Sequence, residues 1–182
     1  MKFSTDWFSA REATWREHVL PFLPDHPSWL EIGSFEGRSA CWIADNVPGV
    51  SITCVDPFFP RYENVCEYER TFDDNTAGRV TKEKSHSFGY LVQAALNGRR
   101  WHGCYIDGDH EAKGVLEDFV LAWRCVSPGG VIVLDDYPWK FPSADDRRLP
   151  PGPAIDACLK IYGSRLNVLH SGWQVILQKV AE

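Results

Sequence analysis

Acidic side chains are concentrated directly after two apolar segments of the sequence. Four carboxylates and one histidine follow the runs 103–106 and 131–134: Asp107, Asp109, His110, Asp135 and Asp136. Like charges this close raise one another's pKa unless a cation or hydrogen-bond donors relieve them. A hard divalent ion with oxygen ligands, preferably Mg²⁺, suits such a cluster. The alternative is that Asp109 caps the following helix and Asp136 faces water. The residues alone leave both interpretations open.

A turn that contains two glycines lies nearer the start of the chain. It reads Glu31-Ile32-Gly33-Ser34-Phe35-Glu36-Gly37, with Gly33 at the end of an apolar run and Gly37 at the start of a helical pattern. Glycine lets the backbone turn tightly and approach a ligand closely. At the carboxyl edge of a parallel sheet, such a turn faces the crevice where ligands bind. We interpret it as a ligand-binding turn; the alternative is a simple connection from strand to helix.

A carboxylate at the tip of the next strand strengthens the ligand-binding interpretation. The run Cys54-Val55-Asp56-Pro57-Phe58 ends in Asp56, and such an acid can accept hydrogen bonds from both hydroxyls of a ribose. A nicotinamide enzyme would also fit the spacing between Gly33 and Asp56. Dinucleotide sites, however, normally show GxGxxG to hold a pyrophosphate, whereas this turn reads Glu-x-Gly-x-x-x-Gly. The pattern favours S-adenosylmethionine, which has no phosphate.

Strands and helices alternate along the part of the chain that would position these residues. Apolar runs predict strands at 28–32, 51–55, 80–83, 103–106 and 131–134, and helical patterns predict helices at 38–46, 88–96, 115–126 and 154–162. The runs 166–170 and 173–180, joined by Ser171-Gly172, predict an antiparallel hairpin. This order predicts a doubly wound, Rossmann-like α/β fold with three layers and a mostly parallel sheet.

One domain accounts for the whole chain of 182 residues. Residues 1–27 are expected to form a cover helix capped by Ser4 or Thr5, and residues 28–182 the core. The segment 138–153, rich in Pro, Asp and Arg, is expected to be a mobile surface loop. Tyr137, just before this segment, and Trp139 and Phe141 within it suit either stacking on a flat acceptor or packing on the domain.

Composition narrows the partners and the compartment. A formal net charge of −6 argues against a nucleic acid partner, and no apolar run approaches the roughly 20 residues that span a bilayer. The six cysteines lack regular spacing and are interpreted as reduced core residues. We therefore expect a cytoplasmic protein that acts on a small molecule, and the sequence allows a homodimer through the N-terminal helix.

The glycine turn and Val55-Asp56-Pro57-Phe58 together resemble the class I S-adenosylmethionine-dependent methyltransferases. The resemblance covers most of the chain and implies a seven-stranded sheet whose last strand is antiparallel. It also implies that Gly33 and Gly37 lie beside the methionine part, Asp56 at the ribose and Ser85 at the adenine. The full set of cofactor-binding residues that it implies is Glu31, Gly33, Ser34, Gly37, Asp56, Pro57, Ser85 and Asp107.

The acidic cluster resembles that of metal-dependent small-molecule O-methyltransferases of the catechol, caffeoyl-CoA and macrolide-sugar types. This resemblance implies that Asp107, Asp135 and Asp136 bind a divalent ion, which orients a hydroxyl of the acceptor and lowers its pKa. Catechol-type enzymes carry lysine where this chain has His110. Imidazole titrates near neutral pH, so His110 is a candidate general base, with Asp109 as its competitor.

Three functional hypotheses remain at the level of sequence. The first is an S-adenosylmethionine-dependent methyltransferase that methylates a small molecule on oxygen with the help of Mg²⁺. The second is a methyltransferase whose acidic residues bind only cofactor and acceptor. The third is a nicotinamide-dependent oxidoreductase or a silent nucleoside-binding module, and the absence of a third glycine counts against its oxidoreductase form.

Overall fold

A computed structural model describes residues 1–59, 66–143 and 145–182 of the chain, and it contains one seven-stranded sheet with helices on both faces. The strands are β1 (Ser28–Ile32), β2 (Ser51–Asp56), β3 (Thr81–Lys84), β4 (Trp101–Ile106), β5 (Val126–Leu134), β6 (Leu166–Ser171) and β7 (Val175–Lys179). The α-helices are α1 (Glu12–His18), α2 (Arg38–Asn46), α3 (Cys66–Thr76), α4 (Ser87–Leu96), α5 (Ala112–Cys125) and α6 (Pro151–Tyr162). Every predicted strand is present, with bounds that differ by a few residues.

The strand order is β3-β2-β1-β4-β5-β7-β6. All neighbouring pairs from β3 to β5 are parallel, whereas β7 pairs antiparallel with both β5 and β6. The predicted Rossmann-like fold with an antiparallel strand in a C-terminal hairpin is therefore confirmed. The carboxyl ends of β1, β2, β4 and β5 lie along one edge of the sheet, which is where such folds bind ligands.

Alternate residues of the central strands pack into two separate hydrophobic cores, one on each face of the sheet. In β5, Ile132 and Leu134 pack with α4, α5 and α6, while Val131 and Val133 pack with the helices on the opposite face. The strict alternation follows from the two-residue repeat of a strand. Because both faces of β5 are covered, its last four residues are all apolar and fully buried.

The N-terminal segment differs from the single helix that was predicted. A 3₁₀ turn at Ser9–Arg11 precedes α1, and a second one at Leu20–Phe22 follows it. The predicted cap at Ser4 or Thr5 is wrong because Ser4 is bonded elsewhere: its N–H and hydroxyl donate to the carboxylate of Glu36, at 2.6 and 2.7 Å. Asp6 instead accepts the N–H of Ser9, at 2.8 Å.

Two further elements were not predicted with these bounds. Helix α3 has a largely polar sequence, Cys-Glu-Tyr-Glu-Arg-Thr-Phe-Asp-Asp-Asn-Thr, and no helix was expected there. Helix α6 begins at Pro151, inside the segment predicted to be a loop, because proline is tolerated in the first turn of a helix.

The structure also bears on two features that were considered from composition, the state of the cysteines and membrane-spanning segments. Five cysteines are buried with free thiols: Cys41, Cys54, Cys104, Cys125 and Cys158. The side chain of Cys66 lies outside the described part of the structure. Within the described ranges, no helix combines the length and the apolar character that crossing a membrane requires.

A carboxyl group is buried in the middle of the sheet. Glu31 of β1 is 0% exposed, and one of its oxygens accepts a hydrogen bond of 3.0 Å from the hydroxyl of Ser39. Burial raises the pKa of the Glu31 carboxyl from an ordinary 4.5 to about 8. In the protein without ligand, this side chain is therefore neutral through most of the physiological pH range.

We expect the free energy of unfolding to fall as the pH rises from 4.5 through about 8, because folded Glu31 holds a proton that the unfolded chain releases. The whole fall is roughly 4 kcal/mol, at up to about 1.4 kcal/mol per pH unit. Glu31→Gln is neutral at every pH and should lack it.

Urea unfolding of the ligand-free protein at several pH values measures this effect as the difference between the parent and Glu31→Gln. Glu117→Gln, at an exposed position of α5, is the matched control and should follow the parent curve. A difference between parent and Glu31→Gln that stays constant over this pH range would contradict a neutral, buried Glu31.

Candidate active site

The glycine turn after β1 is pressed against the end of β4. Gly33 has a φ of 83°, and its N–H donates to the carbonyl of Val55 at 2.9 Å. A Cβ atom at Gly33 would overlap the carbonyl oxygen of Asp107 and lie 2.5 Å from the Cα of Gly108. Both the left-handed backbone and the lack of space require glycine here. The turn therefore begins directly beside the first residue of the acidic cluster.

The second glycine of the turn, Gly37, directly precedes α2 and lies close to α3. Gly37 has a φ of 80°, and a Cβ there would lie 3.0 Å from the side chain of Thr76 in α3. Phe35, between the glycines, also has a left-handed backbone, with a φ of 46°. Such conformations are uncommon outside glycine and cluster at functional sites.

Asp56, predicted to bind ribose, braces the turn. One of its carboxylate oxygens accepts the N–H groups of Ser34 and Phe35, both at 3.0 Å, and the other accepts the N–H of Phe58 at 2.7 Å. The acid thus holds the turn in shape across the gap between β1 and β2. Its ribose role stays a prediction, which the lone pairs left on the carboxylate allow.

Two polar atoms beside the turn are buried without a hydrogen-bond partner in the described structure. They are the second carboxyl oxygen of Glu31, Oε2, and the hydroxyl oxygen of Ser34. The Ser34 hydroxyl nevertheless lies close enough to the Glu31 carboxyl to lower its pKa, so the two side chains form one buried polar pair beside the turn.

The remaining predicted cofactor residues lie at the ends of β2 and β3. Pro57 is half-buried between Asp56 and Phe58. Ser85 follows β3, and its hydroxyl donates to the carbonyl of His86 at 3.0 Å. Residues 60–65, which follow Phe59, lie outside the described part of the chain.

Three side chains at the ends of β4 and β5 converge on one point. Potential ligand atoms of Asp107, His110 and Asp136 all lie within 4.8 Å of one another. Nε2 of His110 is 2.9 Å from a carboxylate oxygen of Asp136. Asp136 has a left-handed backbone with a φ of 59°, which turns its side chain away from the line of β5. The cluster thus joins residues from two strands that pair in parallel.

Asp135 lies outside this group of three, although it was predicted as a metal ligand. Its Oδ1 accepts the N–H of Asp136 at 2.7 Å, and its Oδ2 accepts the amide of Gln174 at 2.7 Å and the hydroxyl of Tyr105. The side chain of Asp135 is directed toward Gln174 of the C-terminal hairpin, and His110 is the third member of the converging group instead. Sequence reasoning missed Tyr105 and Gln174, which carry no motif.

Burial and the charges of neighbouring carboxylates both act on these acids. Burial, followed by the charges of Asp135 and Asp136, raises the pKa of the Asp107 carboxyl well above its ordinary range. Burial likewise raises the pKa of Asp135. The hydroxyl of Tyr105 is 3.0 Å from Asp107 and also contacts Asp135, but a hydroxyl has one proton to give. A bound cation would relieve the same repulsion.

Asp109, the competing candidate for the general base, is directed at α5. Its Oδ1 accepts the N–H of Glu111 at 2.9 Å. A Cβ atom at Gly114 would overlap the same carboxylate, so the side chain lies over the first turn of the helix. Asp109 is not part of the converging group.

The aromatic residues of the loop after β5 divide between two roles. The ring of Trp139 is 5.3 Å from that of His110, and Phe141 packs against Trp139 at 4.8 Å. Tyr137 instead donates its hydroxyl to Asp156 of α6, at 2.8 Å. Trp139 therefore forms one wall beside the histidine, while Tyr137 packs on the domain.

A curated relative and many solved structures are similar to this chain. Uncharacterized protein R132 of Acanthamoeba polyphaga mimivirus is 31% identical over 120 residues, which are 64% of this chain and 54% of the relative. The match thus spans about half the length of that curated relative.

The solved structures share the fold at low sequence identity. A Corynebacterium glutamicum protein is 16% identical with a TM-score of 0.69, over 99% of this chain and 84% of its own. The MycE methyltransferase of the mycinamycin biosynthetic pathway, in complex with Mg and SAH, is 18% identical with a TM-score of 0.66, over 97% and 51%. A Bacillus cereus O-methyltransferase in complex with SAH is 18% identical with a TM-score of 0.60, over 85% and 74%.

A family model described as a methyltransferase domain matches residues 30–137. The matched segment runs from β1 to just beyond β5, so it includes the glycine turn, Asp56 and the converging acids. It confirms the resemblance of the chain to the class I methyltransferases, while the roles of the individual residues stay predictions. With more than half of its residues matched, the chain belongs to the methyltransferase domain family.

Proposed function

We propose that this chain transfers the methyl group of S-adenosylmethionine to a hydroxyl of a small molecule, with the help of a divalent cation. The observation that carries the proposal is the convergence of Asp107, His110 and Asp136 within 4.8 Å of one another. Gly33 packs directly against Asp107, so the cofactor turn and the acidic group share one edge of the sheet.

The residues around the turn fit the cofactor. Oε2 of Glu31 and the hydroxyl of Ser34 are buried and lack partners, and S-adenosylmethionine carries an ammonium group and two ribose hydroxyls that can meet such atoms. The residues that would hold it are Glu31, Gly33, Ser34, Gly37, Asp56, Pro57 and Ser85. Two of the structurally similar methyltransferases are described in complex with SAH, which supports this choice of cofactor.

The acidic group fits a divalent cation. Carboxylate oxygens are hard ligands that Mg²⁺ prefers, while Mn²⁺ also accepts oxygen and imidazole ligands. Burial, and then the charges of Asp135 and Asp136, raise the pKa of Asp107, and a bound cation would offset both effects. Asp107 and Asp136 would hold the ion, and Asp135 would brace Asp136 through its N–H. MycE, which is described in complex with Mg, supports the same choice.

The chemistry divides between bound groups and side chains. S-adenosylmethionine supplies an electrophilic methyl group, and a divalent cation lowers the pKa of a hydroxyl bound beside it. His110 takes up the proton of that hydroxyl, and the carboxylate of Asp136, 2.9 Å away, stabilises the resulting imidazolium. Trp139 covers one side of His110 and limits the access of water.

A metal-independent methyltransferase is the second candidate. The contact of 2.9 Å between Nε2 of His110 and a carboxylate oxygen of Asp136 favours it, because the histidine occupies one carboxylate without any metal. Family membership gives no support to the nicotinamide alternative. A small-molecule acceptor, the lack of a nucleic acid partner, a homodimer and a cytoplasmic location stay predictions from the sequence.

Dependence on metal decides between the two candidates. We expect methyl transfer from labelled S-adenosylmethionine to small vicinal diols, both catechols and sugars, to be lost in EDTA and restored by excess Mg²⁺. Asp107→Asn should reduce turnover by at least about 100-fold, because it removes a charged ligand. Asp74→Asn, at an exposed position of α3, is the control and should leave turnover unchanged.

Full activity in EDTA would establish the second candidate, a metal-independent methyltransferase. Absence of methyl transfer, together with absence of S-adenosylmethionine binding, would refute both candidates.

Substitution of each candidate base identifies the group that accepts the proton. We expect His110→Ala to lower kcat by about 100-fold or more, because it removes the group that takes up the proton. Asp109→Ala should leave kcat close to that of the parent and cost about 1 kcal/mol of stability, because it removes a bond at the start of α5. The reverse pattern would assign the base to Asp109.

A further inference from the structure

The turn that leads into β7 lies opposite the two aspartates that follow β5. In the antiparallel pair, Leu134 of β5 is opposite Val175 of β7. Extending this register by two residues places Asp135 opposite Gln174 and Asp136 opposite Trp173. The N–H of Tyr137 donates to the carbonyl of Trp173 at 2.9 Å, so the pairing continues past the ends of both strands.

Each of these two hairpin residues donates one hydrogen bond to the aspartate that it faces. The amide Nε2 of Gln174 is 2.7 Å from Oδ2 of Asp135. The indole Nε1 of Trp173 is 3.0 Å from Oδ1 of Asp136. Both donors are uncharged, so they fix the direction of a carboxylate while leaving its negative charge available to a cation.

The N-terminal segment holds both donors in place. The indole N–H of Trp15, which is fully buried, donates to Oε1 of Gln174 at 2.8 Å. Indole nitrogen only donates, so this bond settles which end of the amide points at Asp135. On the other residue, the guanidinium of Arg11 lies 5.2 Å from the centre of the Trp173 ring. The two donors are thus supported from a part of the chain about 160 residues away.

The backbone of Asp136 makes such support necessary. Its φ of 59° is a conformation that non-glycine residues seldom adopt without help from their surroundings. The bond from Trp173 to Oδ1 and the contact of His110 with Oδ2 hold the two oxygens of this carboxylate on opposite sides. Asp136 is therefore oriented by one residue of the hairpin and one residue of the site.

We propose that Trp173 and Gln174 are positioning residues for the cation site. Trp173 holds Asp136, a ligand in that site, and Gln174 holds Asp135, which braces Asp136 through its N–H, with Trp15 fixing the Gln174 amide. This inference rests on the proposed metal-assisted function and adds the residues that set its affinity for metal. Neither residue needs to touch the cofactor or the acceptor.

Metal affinity in the presence of saturating S-adenosylhomocysteine tests the proposal, with Mn²⁺ binding measured by electron paramagnetic resonance. Trp173→Phe keeps the aromatic ring over which Arg11 lies but removes the N–H, and Gln174→Leu removes the amide. Each should weaken Mn²⁺ binding by about tenfold or more, as is typical when a partner of a metal ligand is lost. Gln178→Leu, on the same strand but bonded to the carbonyl of Gly129, is the control and should bind Mn²⁺ as the parent does.

Thermal unfolding of every variant separates positioning from folding. Gln174 is 1% exposed, so Gln174→Leu also tests the core, whereas Trp173 is 41% exposed and its phenylalanine variant should unfold close to the parent. Parent-like Mn²⁺ affinity in Trp173→Phe and in folded Gln174→Leu would overturn the positioning role while leaving the metal site intact. A parent protein that binds no Mn²⁺ would overturn the metal-assisted function and this inference together.

Discussion

A close backbone contact between the ends of β1 and β4 determines where the rest of the site lies. Gly33 has no space for a side chain because the carbonyl of Asp107 and the Cα of Gly108 occupy it. The turn that follows β1 therefore lies against the residue that begins the acidic cluster. This contact brings the glycine turn and a group of potential metal ligands to one point, which is the arrangement that the proposed transfer between a bound donor and a bound acceptor requires.

The direction of β7 is the second constraint. A strand parallel to β5 would present its last residues at this edge of the sheet, but antiparallel β7 presents the residues that precede it. This direction places the hairpin turn beside Asp135 and Asp136, and Gln174 and Trp173 donate hydrogen bonds to their carboxylates. Buried carboxylates without such donors would be costly. The reversed strand thus serves the chemistry of the site as well as closing the sheet.

Much of the fold could be predicted because it depends on local pattern. Strands β1, β2, β4 and β5 are largely buried and contain the apolar runs that predicted them. Strand β3, Thr-Lys-Glu-Lys, is neither apolar nor buried, and only the weak run at 80–83 indicated it. Helix α3 was not predicted because its polar sequence carries few apolar residues. Its stability comes from contacts such as those of the buried Phe72. The first cap was misplaced because Ser4 bonds to Glu36, 32 residues away, which no local pattern records.

The candidate site was predictable in position but less so in detail. Strand ends located Gly33, Asp56, Asp107 and Asp136 correctly at one edge of the sheet. The sequence predicted Asp135 in the converging group, but the structure has His110 there instead. The difference depends on the direction of the Asp135 side chain, which hydrogen bonds from Tyr105 and Gln174, distant in the sequence, determine. Asp109 accepts the N–H of Glu111, the residue that precedes α5, so it is neither in the converging group nor the cap of α5 that the sequence offered as an alternative.

Calorimetric titration of the purified protein with S-adenosylhomocysteine, and separately with NADH, tests the central claim most directly. The claim is that the turn between Gly33 and Gly37 binds an adenosyl cofactor without a pyrophosphate. The account predicts micromolar binding of S-adenosylhomocysteine and no binding of NADH. Binding of NADH, or no heat with either ligand, would contradict it.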